Sequence, residues 1–169
     1  MALFARLARI GRHRWTDEAD VRRALPADLL DRLTRRVAAS ERRHTGEIRL
    51  CVEAGLPLSY LWRDAPARER AIMLFGKLRV WDTEHNNGVL IYLLLADRDV
   101  EIVADRGFNG KVTAQEWEQV CRRMEASLRE GHHADAVIAG IENLSRIVAR
   151  HFPPAAGARN ELPDEPVTV

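Results

Sequence analysis

An α/β fold, a three-layer α/β/α sandwich with a small mixed sheet, is predicted from three features of the sequence. Glu47-Ile48-Arg49-Leu50-Cys51-Val52-Glu53 alternates polar and apolar residues, the pattern of a half-buried strand with Ile48, Leu50 and Val52 inward. Val89 to Ala96 is a continuous apolar run, as a strand buried on both faces requires. A helical pattern lies between them, so the two strands are expected to be parallel with a right-handed crossover.

The remaining elements follow in order. Residues 1–24 read as a basic helical segment. Leu3, Leu7 and Ile10 fall on one helical face with Phe4 beside them, and Arg6, Arg9, Arg12 and His13 lie mostly on the other. This pattern suits three roles: an ordinary first helix, a helix resting on an anionic membrane surface through residues 1–14, or a mitochondrial presequence. Pro26 opens a helix to Arg43 with Leu29, Leu30, Leu33 and Val37 inward, and Thr45-Gly46 ends it. Gly55 and Pro57 break the first strand. Tyr60, Trp62 and Asp64 belong to a loop, and a helix from about Pro66 to Leu78 follows.

Ala96-Asp97-Arg98-Asp99 reads as a tight turn and Val100–Asp105 as a returning strand, making a hairpin. Thr113-Ala114-Gln115-Glu116 is a capping box, with Val112 and Trp117 at the staple positions and Trp117, Val120, Cys121, Met124 and Leu128 as the buried stripe. Gly131 ends that helix. A last helix spans about Asp135 to His151. From Phe152 onward four of the seven prolines and no periodicity predict a mobile tail. The expected organisation is therefore a basic segment 1–24, a domain 25–151 and a disordered tail 152–169.

Composition narrows the function. The 169 residues are 46% hydrophobic, enough for one real core. Lys+Arg 26 against Asp+Glu 25 leaves a net charge of +1, which argues against a nucleic-acid coat, although eleven arginines against six acids make residues 1–43 basic. Cys51 and Cys121 are far apart and form no CxxC pair, so they read as buried thiols of a reducing compartment. The longest apolar run is far shorter than the roughly 20 residues a spanning helix needs, and the N-terminus has no continuous apolar core of a signal peptide.

If Asp97-Arg98 centres the turn, Leu90 lies opposite Asp105 and Gly88 opposite Gly107. The loops 82–87 and 105–111 then meet at one sheet edge, gathering Asp82, Glu84, His85, Asn86, Asn87, Asp105, Arg106 and Asn109. Carboxylates with Asn carbonyls suit a hard cation such as Ca²⁺. Asp with Arg beside a capped helix start suits a phosphate. The same residues also serve turns: Asp82 and Asp105 as caps, Arg106 as an ion-pair partner. No EF-hand loop, P-loop, GxSxG or HExxH is present. His132-His133 reads as a helix-cap or surface pair.

Asn86-Asn87-Gly88-Val89-Leu90-Ile91, followed by Asp97-Arg98-Asp99-Val100-Glu101-Ile102 and Gly107, resembles the TPM domain. So do the strand start Thr45-Gly46-Glu47-Ile48, the helix holding Leu74-Phe75, and the two C-terminal helices with Gly140-Ile141. That family includes thylakoid-lumen phosphatase-like proteins, photosystem II repair factors and a nematode receptor modulator. The chain looks like a cytosolic bacterial branch, in which Trp81-Asp82-Thr83-Glu84-His85 replaces a shorter glycine-containing loop and Asp105-Arg106-Gly107-Phe108-Asn109-Gly110 alters a glycine-rich segment.

The resemblance implies an accessory binding protein, working with a protein or membrane-associated partner such as a LemA-type membrane protein. It is expected in the cytoplasm or at the inner membrane face. It implies Ca²⁺, or another divalent cation, near the sheet edge, with Asp82, Glu84, Asn86, Asn87 and Asp105 as ligands, and no organic cofactor. The alternative is a weak metal-dependent acid phosphatase. There Asp82, Glu84 and Asp105 would hold the cation and Arg106 or His85 would stabilise charge.

Overall fold

The computed structural model describes residues 2–169, with side chains from Phe4 onward; the expected position of the Leu3 side chain lies outside the described residues. In chain order the elements are α1 (Ala2–Trp15), α2 (Glu18–Ala24), α3 (Ala27–Glu41), β1 (Glu47–Glu53), α4 (Leu58–Trp62), α5 (Ala67–Lys77), β2 (Gly88–Leu94), β3 (Asp99–Ala104), a 3₁₀ turn (Arg106–Phe108), α6 (Ala114–Arg129), α7 (His133–His151) and β4 (Val167–Thr168). The strands form one sheet in the order β3-β2-β1-β4. β1 runs parallel to β2 and β4, and β3 runs antiparallel to β2.

Alternation along the strands divides the core in two. Ile48, Leu50, Val52, Val89, Ile91, Leu93, Val100 and Ile102 face α3, α6 and α7. Cys51, Leu90, Tyr92, Leu94 and Val103 face α5. The helices therefore cover both faces, as a strand such as Val89–Leu94, apolar at every position, demands.

Local chemistry sets the boundaries. The Thr113 hydroxyl accepts from the Glu116 N–H at 3.2 Å, and the Glu116 carboxylate takes the Thr113 N–H at 3.0 Å, so the capping box forms. A second box, Asp17 with Asp20, splits the N-terminal segment into α1 and α2. Gly131 takes a left-handed φ of 84° between α6 and α7.

Four expectations are corrected. The hairpin register is shifted by two residues: Leu90 pairs with Val103 and Leu94 with Asp99. The turn comprises Leu95–Arg98, closed by the Arg98 N–H on the Leu95 carbonyl, and Arg98 itself adopts φ 52°, the conformation a glycine would ordinarily supply. β1 is buried along most of both faces, because Ile48, Leu50 and Val52 pack into one core cluster, Cys51 into the other, and Glu53 is paired. The segment around Tyr60 and Trp62 forms the short helix α4, opened by Pro57.

The tail touches the body at several points. Phe152 packs edge-on to Phe108, Leu162 is buried, and Val167–Thr168 adds a strand to β1. Its prolines keep the chain extended, and groups of the body satisfy its backbone: Glu47 accepts from the Leu162 N–H, Arg49 donates to the Pro163 and Glu165 carbonyls, and Val52 accepts from Val169.

Candidate functional site

The predicted meeting of the two loops occurs. The Asp105 N–H donates to the Gly88 carbonyl at 2.9 Å, and the Gly107 N–H to the Asn86 carbonyl at 2.9 Å. Gly107 is needed for this approach, and Gly88 for the chain at Val80 to lie against the start of β2. A Cβ on Gly107 would stand 2.4 Å from the Asn86 carbonyl oxygen, and one on Gly88 would stand 1.9 Å from that of Val80. Gly107→Ala should therefore part the loops and cost about 2 kcal/mol, read as a lowered urea midpoint with an unchanged slope.

The rim gathers some of the expected residues and leaves others out. Asn87 is fully buried and ties the strand starts together. Its Nδ2 donates to the Thr45 carbonyl at 2.8 Å, its N–H to the Thr83 hydroxyl at 3.0 Å, and its carbonyl accepts from Glu47. Asp105 caps the 3₁₀ turn through the Arg106 N–H at 2.7 Å. Arg106 pairs with neither aspartate; its Nε donates to Asn86 Oδ1 at 2.7 Å. Asp82 is exposed and paired with Arg79 at 2.6 Å, and Glu84, His85 and Asn109 are exposed.

These positions decide the fit of Ca²⁺. Two buried oxygens, Asn87 Oδ1 and Asp105 Oδ2, accept no hydrogen bond and are free to act as ligands. The oxygen of Asn86, however, is already held by a guanidinium. Among the described residues no three His, Cys, Asp or Glu side chains converge closely enough to hold a metal ion. Calcium takes six to eight oxygens, and this donor set does not fit a calcium shell built by the protein. The cysteines are also unsuited to covalent chemistry, since burial pushes both thiols up to about 12 and they stay protonated at neutral pH.

A different surface is more distinctive. Helix α1 docks on the domain through its polar face, with Ile10 at the border of that face packed against the core. Arg9 reaches Asp64 at 3.0 Å, Asp97 at 3.1 Å and the Ala65 carbonyl at 3.2 Å. Arg12 reaches Asp97 at 2.5 Å, and Arg6 the Trp62 carbonyl at 2.6 Å. The buried His13 accepts the Leu56 N–H on Nδ1 at 2.9 Å and places Nε2 3.0 Å from Asp97 Oδ1. Burial alone would raise the Asp97 carboxyl. The contacts with His13 and Arg12 and the charge of Arg9 outweigh it and hold that carboxyl well below the usual carboxylate range.

The opposite face of α1 is apolar and turned outward: Phe4 is 80% exposed, Leu7 55% and Trp15 85%. Beside it, Leu7, Ala8, Gly11, Trp15, Ala24 and Leu95 line an open groove of about 820 Å³, with Arg23 and Arg98 at its margin. Trp62 on α4, next to Arg6, adds 74% exposure. The signal was present in the spacing of Arg6, Arg9, Arg12 and His13 with Asp97 in the turn. The amphipathic pattern alone left open which face turns inward.

Comparison with known proteins agrees with this architecture. Among solved structures, the BA42 protein of the psychrophilic bacterium Bizionia argentinensis, determined by NMR, is similar with a TM-score of 0.75. It is 25% identical, over 86% of this chain and 95% of that one. The N-terminal domain of a P. gingivalis protein is similar in fold, with a TM-score of 0.60 and 20% identity, over 76% of this chain and 79% of that one. A search of curated proteins gave no match. Among the described residues no helix is long and apolar enough to cross a membrane. The family model described as TPM domain matches residues 18–147, and the chain belongs to the TPM domain family.

Proposed function

We propose that this chain is a non-catalytic TPM-domain binding module that docks an accessory protein partner through the outward apolar face of α1. The observation that carries this reading is the inversion of α1. Aromatic side chains as large as Phe4 and Trp15 stand in water while Arg6, Arg9 and Arg12 of the same helix turn to the domain and pair with it. Exposed apolar surface of this size is costly to keep and marks an interaction site. A protein surface suits it better than lipid headgroups, because Arg6, Arg9 and Arg12 are already engaged by the domain. Arg98 at the groove favours an apolar partner segment bearing a carboxylate, whereas Arg23 is already paired with Asp20 of the same lining. The family resemblance makes a LemA-type membrane protein the first partner to try, with the chain acting from the cytoplasmic side.

The phosphatase alternative draws less support. Asp82 and Arg106 are engaged with Arg79 and Asn86 rather than with each other or with Asp105. The expected result is that p-nitrophenyl phosphate is not turned over with Ca²⁺, Mg²⁺ or Zn²⁺. Turnover by the wild type that vanishes in a folded Asp82→Asn, Asp105→Asn double variant would establish the enzyme and end the non-catalytic reading. Vesicle sedimentation separates lipid from protein: strong pelleting with anionic vesicles, lost on Phe4→Ser with Trp15→Ser, would replace the protein partner by a membrane.

A further inference from the structure

The C-terminal strap closes a second site that has no counterpart in the proposed docking face. Between the end of α3, the start of β1 and residues 154–164 lies a cavity of about 460 Å³, within the range of small-molecule sites. Its inner lining is acidic. Glu47 is buried, Glu41 is partly buried, and Asp164 arrives from the strap, steadied by Asn160 at 2.8 Å. The cationic side chains that line it, Arg42 and Arg159, are exposed residues.

His44 supplies the second, independent observation. It is only 2% exposed and lines the same cavity. Its Nδ1 lies 2.8 Å from the Gly46 carbonyl, which can only accept, so Nδ1 carries the proton and Nε2 is left as an acceptor. That Nε2 is buried and has no partner, while the Glu41 carboxyl lies beside that of Asp164. An unpartnered buried acceptor is costly, and so is an unpaired acidic group. At neutral pH Glu41 keeps its proton, and the other inward polar groups, Glu47, Asp164 and His44 Nε2, offer acceptors. A ligand that fits must donate hydrogen bonds and carry positive charge. The convergence is too loose for a metal ion among the described residues, so the donors must be spread over an organic group.

We propose that this cavity binds an organic cation bearing an ammonium or guanidinium group, held by Glu41, Glu47 and Asp164 and accepted by His44 Nε2. The protonation states agree with an empty acidic site. Burial first, and then the charge of Glu47, pushes Glu41 up to about 9, and burial also raises Glu47. Burial pulls His44 down to about 4, so its ring is neutral at pH 7. A bound cation favours the ionised carboxylate, so binding at neutral pH must release a proton from Glu41.

The test is titration calorimetry of the full chain at pH 7 with agmatine and with putrescine, at matched ionic strength, in two buffers of different ionisation enthalpy. Saturable one-to-one binding is expected for at least one probe, with a buffer-dependent heat that reports proton release. Asp164→Asn and Glu47→Gln should each weaken it at least tenfold, and Asp164, on the strap, is the variant least tied to folding. Failure of both probes to bind the folded wild type overturns the proposal. So does equal binding by both variants, and so does saturation by CaCl₂ at lower concentration than by either amine.

Discussion

Replacing Arg70 with Ala lowers the unfolding free energy by about 4 kcal/mol, the largest effect expected of any single surface-to-core contact in this protein. Arg70 clamps Glu53 with two hydrogen bonds, at 2.9 and 2.6 Å, and the Tyr92 hydroxyl donates to the same carboxylate at 2.6 Å. Both charged side chains are almost closed to water, 14% exposed for Arg70 and 4% for Glu53. Burial and the adjacent Glu53 charge push the Tyr92 phenol far above its ordinary value, so it stays a donor at any working pH. Removing Arg70 leaves a carboxylate stranded at the end of β1. Removing the whole set costs much less: an Arg70→Met, Glu53→Met, Tyr92→Phe triple variant should recover most of the loss, since well-packed apolar groups replace buried ion pairs at little cost. Urea denaturation of the single and triple variants reads both effects. A triple variant as unstable as Arg70→Ala would show that packing, not the stranded charge, sets the penalty.

Asp97→Ala detaches α1 and costs about 3 kcal/mol. One carboxylate receives Arg9, Arg12 and His13, and no other acid replaces it there, although Arg9 keeps Asp64. Amide exchange should accelerate through α1 while the sheet stays protected, because the loss is local to the docked helix. The same carboxylate gives a pH dependence. Its folded value lies below the unfolded value of about 3.9, so the unfolded chain binds the proton more readily and stability rises with pH through that region. The contribution is full above about pH 5 and is lost as pH falls through the depressed folded value. Wild type should show this acid loss, and Asp97→Asn should lack its share of it. A wild-type profile that stays flat between pH 5 and pH 2 would contradict the latch.

The sheet was legible because period-2 and continuous apolar patterns are hard to satisfy otherwise: Glu47–Glu53 and Gly88–Leu94 lie where their side chains place them. The α6 cap was legible from Thr113 and Glu116 alone. The hairpin register was not, because Arg98 adopts a left-handed conformation that its side chain does not announce. The strap escaped because its anchors are backbone groups meeting Glu47, Arg49 and Val52, contacts that leave no periodic trace. At the rim, spacing brought the right loops together but could not tell that Arg106 takes the Asn86 oxygen or that Asp82 turns back to Arg79. In α1 the amphipathic pattern was visible, and only the tertiary position of Asp97 shows which face is inward.

The outward face of α1 is the central claim, and photo-crosslinking tests it most directly. A benzoyl-phenylalanine is placed at Leu7 or at Trp15 in the producing cell, with Arg36 on α3 as the control position, also exposed. A discrete adduct of one added mass is predicted from Leu7 and Trp15, lost when Phe4→Ser is added and absent from Arg36. Adducts of equal yield from all three positions, or crosslinks from Leu7 only to this chain's own core, would contradict it.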